Sequence, residues 1–294
     1  MSENKRKRRI GDRKDGRKLR TIDPIIRAMP YIMPKRSDSQ NFFTEKLDIA
    51  EAERFCREQT RAGRKNFTLL HVIIASYIRV VSQRPAINRF VSGQTIYARN
   101  NIEVVMTIKK KMALDGEETS IKVVFEPTDT VYDVYDKFNK VVMENKGDAE
   151  ANDTEKFAKI LRYIPRFMLR FVIWLIKTID YYGLLPQPIL DLSPFHGSMI
   201  ITSMGSLGIR PIYHHIYDFG NLPVFVAYGT KQHGVKLDDE GVVRKYRYIE
   251  MKVTTDERIC DGYYYASAFK MMKKIFENPR VLELPPEKVV EDID

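Results

Sequence analysis

The chain has 294 residues, 44% hydrophobic and 30% charged, a balance that excludes a disordered protein and a membrane-embedded one. It carries 49 Lys and Arg against 39 Asp and Glu, a net charge of +10, and two cysteines, too few for a disulfide framework and without zinc-like spacing. The charge is uneven: residues 1–22 hold ten Lys and Arg and three Asp and Glu, so the basicity belongs to one end and the body is nearly balanced.

In chain order, Lys5-Arg6-Lys7-Arg8-Arg9 opens a segment, 1–22, that reads as a solvated, disordered basic arm. Such a block attracts nucleic acid or anionic lipid without specificity. No RNA-binding aromatic motif, helix-turn-helix or zinc finger follows it, so nucleic acid is not an expected partner. No apolar run follows the charges as in a signal peptide, and the expected location is cytoplasmic, peripheral to a membrane at most. Residues 21–41, with prolines at 24, 30 and 34, read as irregular. Asp48, with Glu51 three residues on, predicts a capped helix over 48–61. A second helix, over 67–81, is apolar all round, the mark of a helix buried between layers.

Strands are predicted over 95–97, 102–108 and 121–125 from their β-branched content. Asp129 or Thr130 caps a helix to about 143, and 146–153 is polar enough to be a loop. The segment 155–185 is the most unusual. Arg162, Arg166 and Arg170 recur every four residues and line one helical face. Arg170 leaves only six uninterrupted apolar residues, 171–176, where a bilayer span needs about 20. Two readings stay open: an amphipathic cover packed on the protein, or a helix lying in a membrane interface with its arginines toward anionic headgroups. Further strands follow over 199–202, 224–228 and 242–253, with Asp238-Asp239-Glu240-Gly241 as a hairpin turn, then a helix over 263–277. The expected organisation is one domain over 23–280, an apolar insertion at about 150–190, and an acidic tail over 281–294.

Two short strings bear on function. Asp256-Glu257-Arg258-Ile259-Cys260-Asp261-Gly262 ends a long strand and precedes the last helix. Thr202-Ser203-Met204-Gly205-Ser206-Leu207-Gly208 is followed, after a gap, by the strand that begins at Val224. Together they resemble the catalytic domain of the dihydrolipoamide acyltransferases of 2-oxo-acid dehydrogenase complexes and, more distantly, chloramphenicol acetyltransferase. That family carries D-H-R-x-x-D-G or H-H-x-x-x-D-G at the first place and Ser/Thr-x-x-G at the second. Residues 41–49 also look like the family's entry strand and first helix. The resemblance covers about 30–280.

The resemblance implies an α/β fold of the CoA-dependent acyltransferase kind, a two-layer sandwich of mixed β-sheet and helices. It implies a coenzyme A thioester as substrate, no metal, and a homotrimer with sites between subunits. Thr202, with Ser203 as fallback, matches the hydroxyl that stabilises the oxyanion. Asp261 and Arg258 match the supports of the loop, the aspartate through an arginine contact. The first 40 residues are too short and basic for a lipoyl domain, so no lipoyl attachment site is expected and the enzyme would be free-standing. The apolar insertion would wall an acyl-chain pocket.

One position departs from the pattern. Glu257 stands where the family has its histidine base. A free glutamate has a pKa near 4.3 against roughly 6.5 for histidine, so it is a weak base unless desolvated. Three possibilities remain: Glu257 acts as base, the site is inactive and the protein a binding, regulatory or membrane-surface relative, or another base serves. His196, six residues before Thr202, is the first alternative, with His214 and His215 behind it; His71 reads as packing and His233 as a turn residue. No histidine pair has metal-site spacing. Cys260 reads as a small buried hydrophobe more than a nucleophile. No nucleophile elbow, P-loop or dinucleotide fingerprint occurs, which sets hydrolase, NTPase and dehydrogenase readings aside.

Overall fold

The computed structural model describes residues 7–109, 118–145, 164–238 and 240–294. Nine strands form two sheets among these residues. A three-stranded sheet has β1 (Gly16–Lys18) beside β4 (Thr95–Arg99) and β3 (Arg89–Ser92). A six-stranded sheet runs in the order β2 (Gln40–Asp48), β9 (Val243–Asp256), β8 (Val224–Leu237), β7 (Met199–Ser203), β5 (Ile102–Lys109), β6 (Glu118–Phe125). Its centre, β5-β7-β8, is parallel, and the outer pairs are antiparallel. The helices are α1 (Pro24–Ile32), α2 (Ala50–Arg61), α3 (Leu69–Gln83), α4 (Val131–Glu144), α5 (Arg166–Tyr181), α6 (Gln187–Leu192) and α7 (Gly262–Glu277).

The core lies between one face of the large sheet and α2, α3, α4 and α7. Ile73, Ile74 and Ile78 of α3 are at most 1% exposed and share one cluster with Met199, Ile201, Val253 and Phe276. Each such side chain stabilises the fold by about 1.5–3 kcal/mol. The all-round apolar helix is thus buried, as its composition predicts. Its start is fixed by a capping box in which the Thr68 amide donates to His71 Nδ1, so His71 is a packing and capping residue. Thr130 and Asp133 make the same arrangement at α4.

Three expectations are corrected. Asp48 does not cap α2: it is the last residue of β2, and its carboxylate meets the Ala50 amide and Lys236 while Ile49 holds the cap position. The prolines of 21–41 do not prevent a helix, because Pro24 sits in the first turn of α1, where a missing N–H is harmless, and Asp23 caps it. Residues 13–22 are not a solvated arm. Arg13 is 3% exposed, β1 is paired to β4, and Leu19 and Ile22 join the core. The acidic end is tied in as well: Asp292 takes a bidentate ion pair from Arg89, and the Asp294 carbonyl accepts from the Arg20 and Thr21 amides.

The reading of 155–185 as a packed cover also needs correction over its described part, 164–185. Asp180 is the one fully buried residue of α5, while Phe167, Phe171 and Trp174 are exposed. Arg162 lies outside the described residues, as do the predicted loop 146–153 and Asp239 of the hairpin turn. The rest of that turn closes as predicted, with Gly241 at positive φ between β8 and β9.

Candidate active site

β9 delivers the first string to the end of the sheet. Asp256, its last residue, pairs with Gln40 and is fully buried. A buried carboxylate needs compensating partners. Arg258 supplies two, Nε at 2.8 Å and Nη2 at 2.7 Å, and Ser39 Oγ donates at 3.1 Å. Arg36 Nε stands 3.4 Å away. Arg258 also donates to the carbonyls of Met33 and Pro34, and Arg36 to those of Val91, Tyr217 and Gly220. Two arginines on one carboxylate therefore fasten the motif loop to three other parts of the chain. The expected arginine contact of Asp261 is corrected: it belongs to Asp256. Asp261 caps α7, accepting the Tyr264 amide at 2.7 Å.

Glu257 follows directly. Its amide donates to the Ser39 carbonyl at 2.8 Å, and its side chain is exposed. Cys260 is buried, and burial pushes its thiol up to about 12, which removes it as a nucleophile at neutral pH.

The second string is shaped by close packing. β7 ends at Ser203, a single 3₁₀ turn over Met204–Leu207 follows, and Gly208 closes it in the left-handed region. A Cβ on Gly205 would lie 2.7 Å from the Gly229 carbonyl oxygen, so glycine is what lets the turn rest on β8. Beside the turn is a cavity of about 890 Å³ between the sheet and α2. Ser203, Gly205 and Tyr228 line it, and Thr202 does not. Neighbouring strand residues face opposite sides, so only one of the two hydroxyls can point there. Burial raises the Tyr228 phenol above its ordinary range, partly offset by a hydrogen bond from Ser203. Phe67, Leu69 and Leu70 give the cavity an apolar wall.

Its charged wall is basic. Glu53, 6% exposed, is held by Lys231 at 2.6 Å and Arg247 at 2.9 Å. Arg57 and Arg61, four apart on α2 and exposed, line the cavity with no carboxylate on them among the described residues. The sequence reading passed over this pair, although its spacing on a predicted helix put both on one face. Among the described residues, no group of three or more His, Cys, Asp or Glu is placed to hold a metal ion.

Strand register separates the two strings within one chain. Thr202 is opposite Ala227, which is opposite Lys252; Glu257, just past the end of β9, lies five residues further on. That is roughly 17 Å at strand rise. At the Glu257 end a second pocket, about 480 Å³, is lined by Arg36, Arg258, His196 and Asp180. His196 is thus far from Thr202, across the length of β7. Its Nδ1 is 2.7 Å from Ser193 Oγ and its Nε2 is 3.5 Å from Asp180, the setting of a buried structural histidine. α5 lends this pocket Ile176 as its only aliphatic side chain, beside Lys177, Asp180 and Tyr181, so the apolar segment does not wall an acyl chain here. His214 stacks on Phe225, ring centroids 4.5 Å apart.

No protein-family model matches the chain, and no curated protein does. Solved structures do. A probable dihydrolipoamide acetyltransferase from Listeria monocytogenes superposes with a TM-score of 0.55 at 13% identity, over 89% of this chain and 95% of that one. The cubic core of a pyruvate dehydrogenase multienzyme complex gives 0.52 at 13% identity, over 90% and 94%. A chloramphenicol acetyltransferase gives 0.51 at 11% identity, over 88% and 99%. The fold is the CoA-dependent acyltransferase fold, of the chloramphenicol acetyltransferase kind. At such identities the likeness carries the architecture and not the reaction.

Proposed function

We propose that this protein transfers an acyl group from a CoA-type thioester to a thiol, hydroxyl or amine acceptor, at sites shared between protomers of a homotrimer. The observation that carries the reading is the cavity at the Ser203 turn. Its apolar wall suits an extended acyl-pantetheine arm, and Arg57 and Arg61 suit the phosphates of such a donor. A shared site follows from the register: residues roughly 17 Å apart in one chain act on one carbonyl only if two chains meet. A neighbour that forms a cubic core supports three-fold assembly, since a cube has three-fold corners.

In this reading Glu257 of one protomer removes the proton of the acceptor X–H as X attacks the thioester carbonyl carbon. The C–X bond forms, the carbonyl electrons move to oxygen, and Ser203 or Thr202 of the next protomer donates to that oxyanion. Collapse breaks the C–S bond, and the leaving thiolate takes the proton back from Glu257. The neighbouring protomer must also desolvate Glu257, which its own chain leaves exposed. The two free, buried cysteines support a reducing, cytoplasmic location for this chemistry.

Exposure of Glu257 favours one other reading, a non-catalytic relative that binds a thioester or a partner. Thiol release from acyl-CoA with a set of small acceptors decides between them. General acid–base catalysis contributes about 10²–10⁴-fold, so Glu257→Gln should lose at least two orders of magnitude with an unchanged thermal melt. Equal background rates in parent and variant overturn the enzyme reading.

A further inference from the structure

We propose that α5 is a docking surface for an anionic lipid bilayer. Phe167, Met168, Phe171, Trp174 and Leu175 are 76, 45, 57, 58 and 38% exposed. Their spacing (i, i+1, i+4, i+7, i+8) puts them on one helical face. Arg166, Arg170 and Lys177 form an exposed stripe along one flank of that face. The helix has one acidic residue, Asp180. It is buried and turned inward, with Arg13 Nη2 at 2.6 Å and His196 Nε2 at 3.5 Å. Everything α5 shows to solvent is apolar, neutral or positive.

The helix is also anchored at its C-terminal end. Arg13 donates to the Asp180 carbonyl and carboxylate, and Gly93 approaches the Tyr181 carbonyl so closely that a Cβ would lie 2.2 Å from the oxygen. The backbone conformation of the tight β3–β4 turn, with Gly93 and Gln94 both at positive φ, makes that approach possible. A helix already formed, anchored at one end and baring aromatic residues, needs no refolding to bind.

Charge complementarity selects the occupant. A second copy of this helix would set the same three cations, which meet no carboxylate among the described residues, against their own kind, an unfavourable contact. A layer of anionic headgroups supplies negative charge level with the stripe, while the apolar face enters the acyl boundary. Sixteen residues span about 24 Å, short of the roughly 30 Å hydrocarbon core, so α5 lies along the surface. No described helix is long and apolar enough to cross a membrane.

Trp174 is the single tryptophan of the chain, so the full protein carries its own probe. Added to vesicles of phosphatidylcholine with phosphatidylglycerol, it should show a blue-shifted emission, loss of iodide quenching and co-flotation, all weakened by salt. Each basic residue near an anionic surface is worth about fivefold in affinity, so Arg166→Gln, Arg170→Gln and Lys177→Gln together should weaken binding roughly a hundredfold. Phe167→Ser with Phe171→Ser should abolish the spectral shift in a protein with the parental melt. An unchanged Trp174 emission on anionic vesicles overturns the proposal, as does a triple variant that binds like the parent. So does a Trp174 already shielded from iodide without lipid in a concentration-dependent way, which would assign the face to a second copy.

Discussion

Arg13 and Asp180, 167 residues apart in sequence, meet inside the protein with Nη2 2.6 Å from Oδ1. Through this pair the N-terminal segment clamps α5 to the body. Burial alone would raise the Asp180 carboxyl, but the His196 ring 3.5 Å away and the charge of Arg13 outweigh it and bring it to about 2. A carboxyl depressed from its ordinary 3.8 stabilises the folded state above that value and loses the effect as pH falls through 2. The drop of nearly two units corresponds to about 2 kcal/mol at neutral pH. Asp180→Asn should therefore unfold at lower urea than the parent at pH 7, with the gap narrowing between pH 4 and pH 2. Equal midpoints at pH 7 would mean that the clamp carries no stability.

The Asp256 arrangement predicts a larger loss. Asp256→Asn removes the carboxylate that lies within ion-pair reach of both Arg36 and Arg258, and breaking a buried pair costs about 3–5 kcal/mol. Arg258→Lys should be harmful too, because an ammonium cannot make the two parallel contacts to Asp256 that the guanidinium makes. Both are read as a lowered thermal midpoint, with Asp256→Asn the worse.

The division between what was readable and what was not follows from locality. Strands β5, β6, β7 and β9, the first part of β8, the buried α3 and the helix after Gly262 follow from composition and periodicity, which are local, whereas β2 came only with the family resemblance. The motif resemblance led to the right fold because one of its strings ends β7, the middle strand of the parallel centre, and the other ends β9, two strands away. Residues 13–22 were misread because a block of charge looks solvated until its partners are known, and Asp180 lies far away in sequence. Asp261 was given a contact that Asp256 makes; both are in the same string, and only burial distinguishes them. The choice between Thr202 and Ser203 depends on which face of β7 meets the cavity, which a string of five residues does not specify.

That choice is testable. Removing one donor from an oxyanion site costs about 10²–10³ in kcat. Ser203→Ala should show a loss of that order with little change in KM, and Thr202→Val should not, because only Ser203 lines the cavity. Steady-state kinetics with one acyl-CoA and a saturating acceptor measures both. The reverse result would move the oxyanion to the opposite face of β7.

The arginines on α2 should act on binding rather than on chemistry. Arg57→Gln with Arg61→Gln should raise KM for the CoA thioester about tenfold or more and leave kcat nearly unchanged, each charge-assisted hydrogen bond being worth about 1.5–3 kcal/mol. The parent's KM should rise with salt and the variant's should not. An acyl-pantetheine substrate without the phosphates should not distinguish the two proteins.

The shared site gives the most direct test, because it predicts rescue. Glu257→Gln and Ser203→Ala protomers are each inactive alone, yet a mixed assembly contains contacts in which an intact Glu257 loop meets an intact Ser203 turn. For random mixing of equal amounts, about a quarter of all sites are of this kind. Co-expressed variants should therefore recover about a quarter of parental activity, in particles whose mass equals three copies of 34.4 kDa. A site contained in one chain would recover none, since every protomer lacks one of its two groups. The roughly 17 Å between the Lys252 row and Glu257 makes that second outcome incompatible with direct participation of both groups, so zero rescue would mean that either Glu257 or the turn lies outside the chemistry.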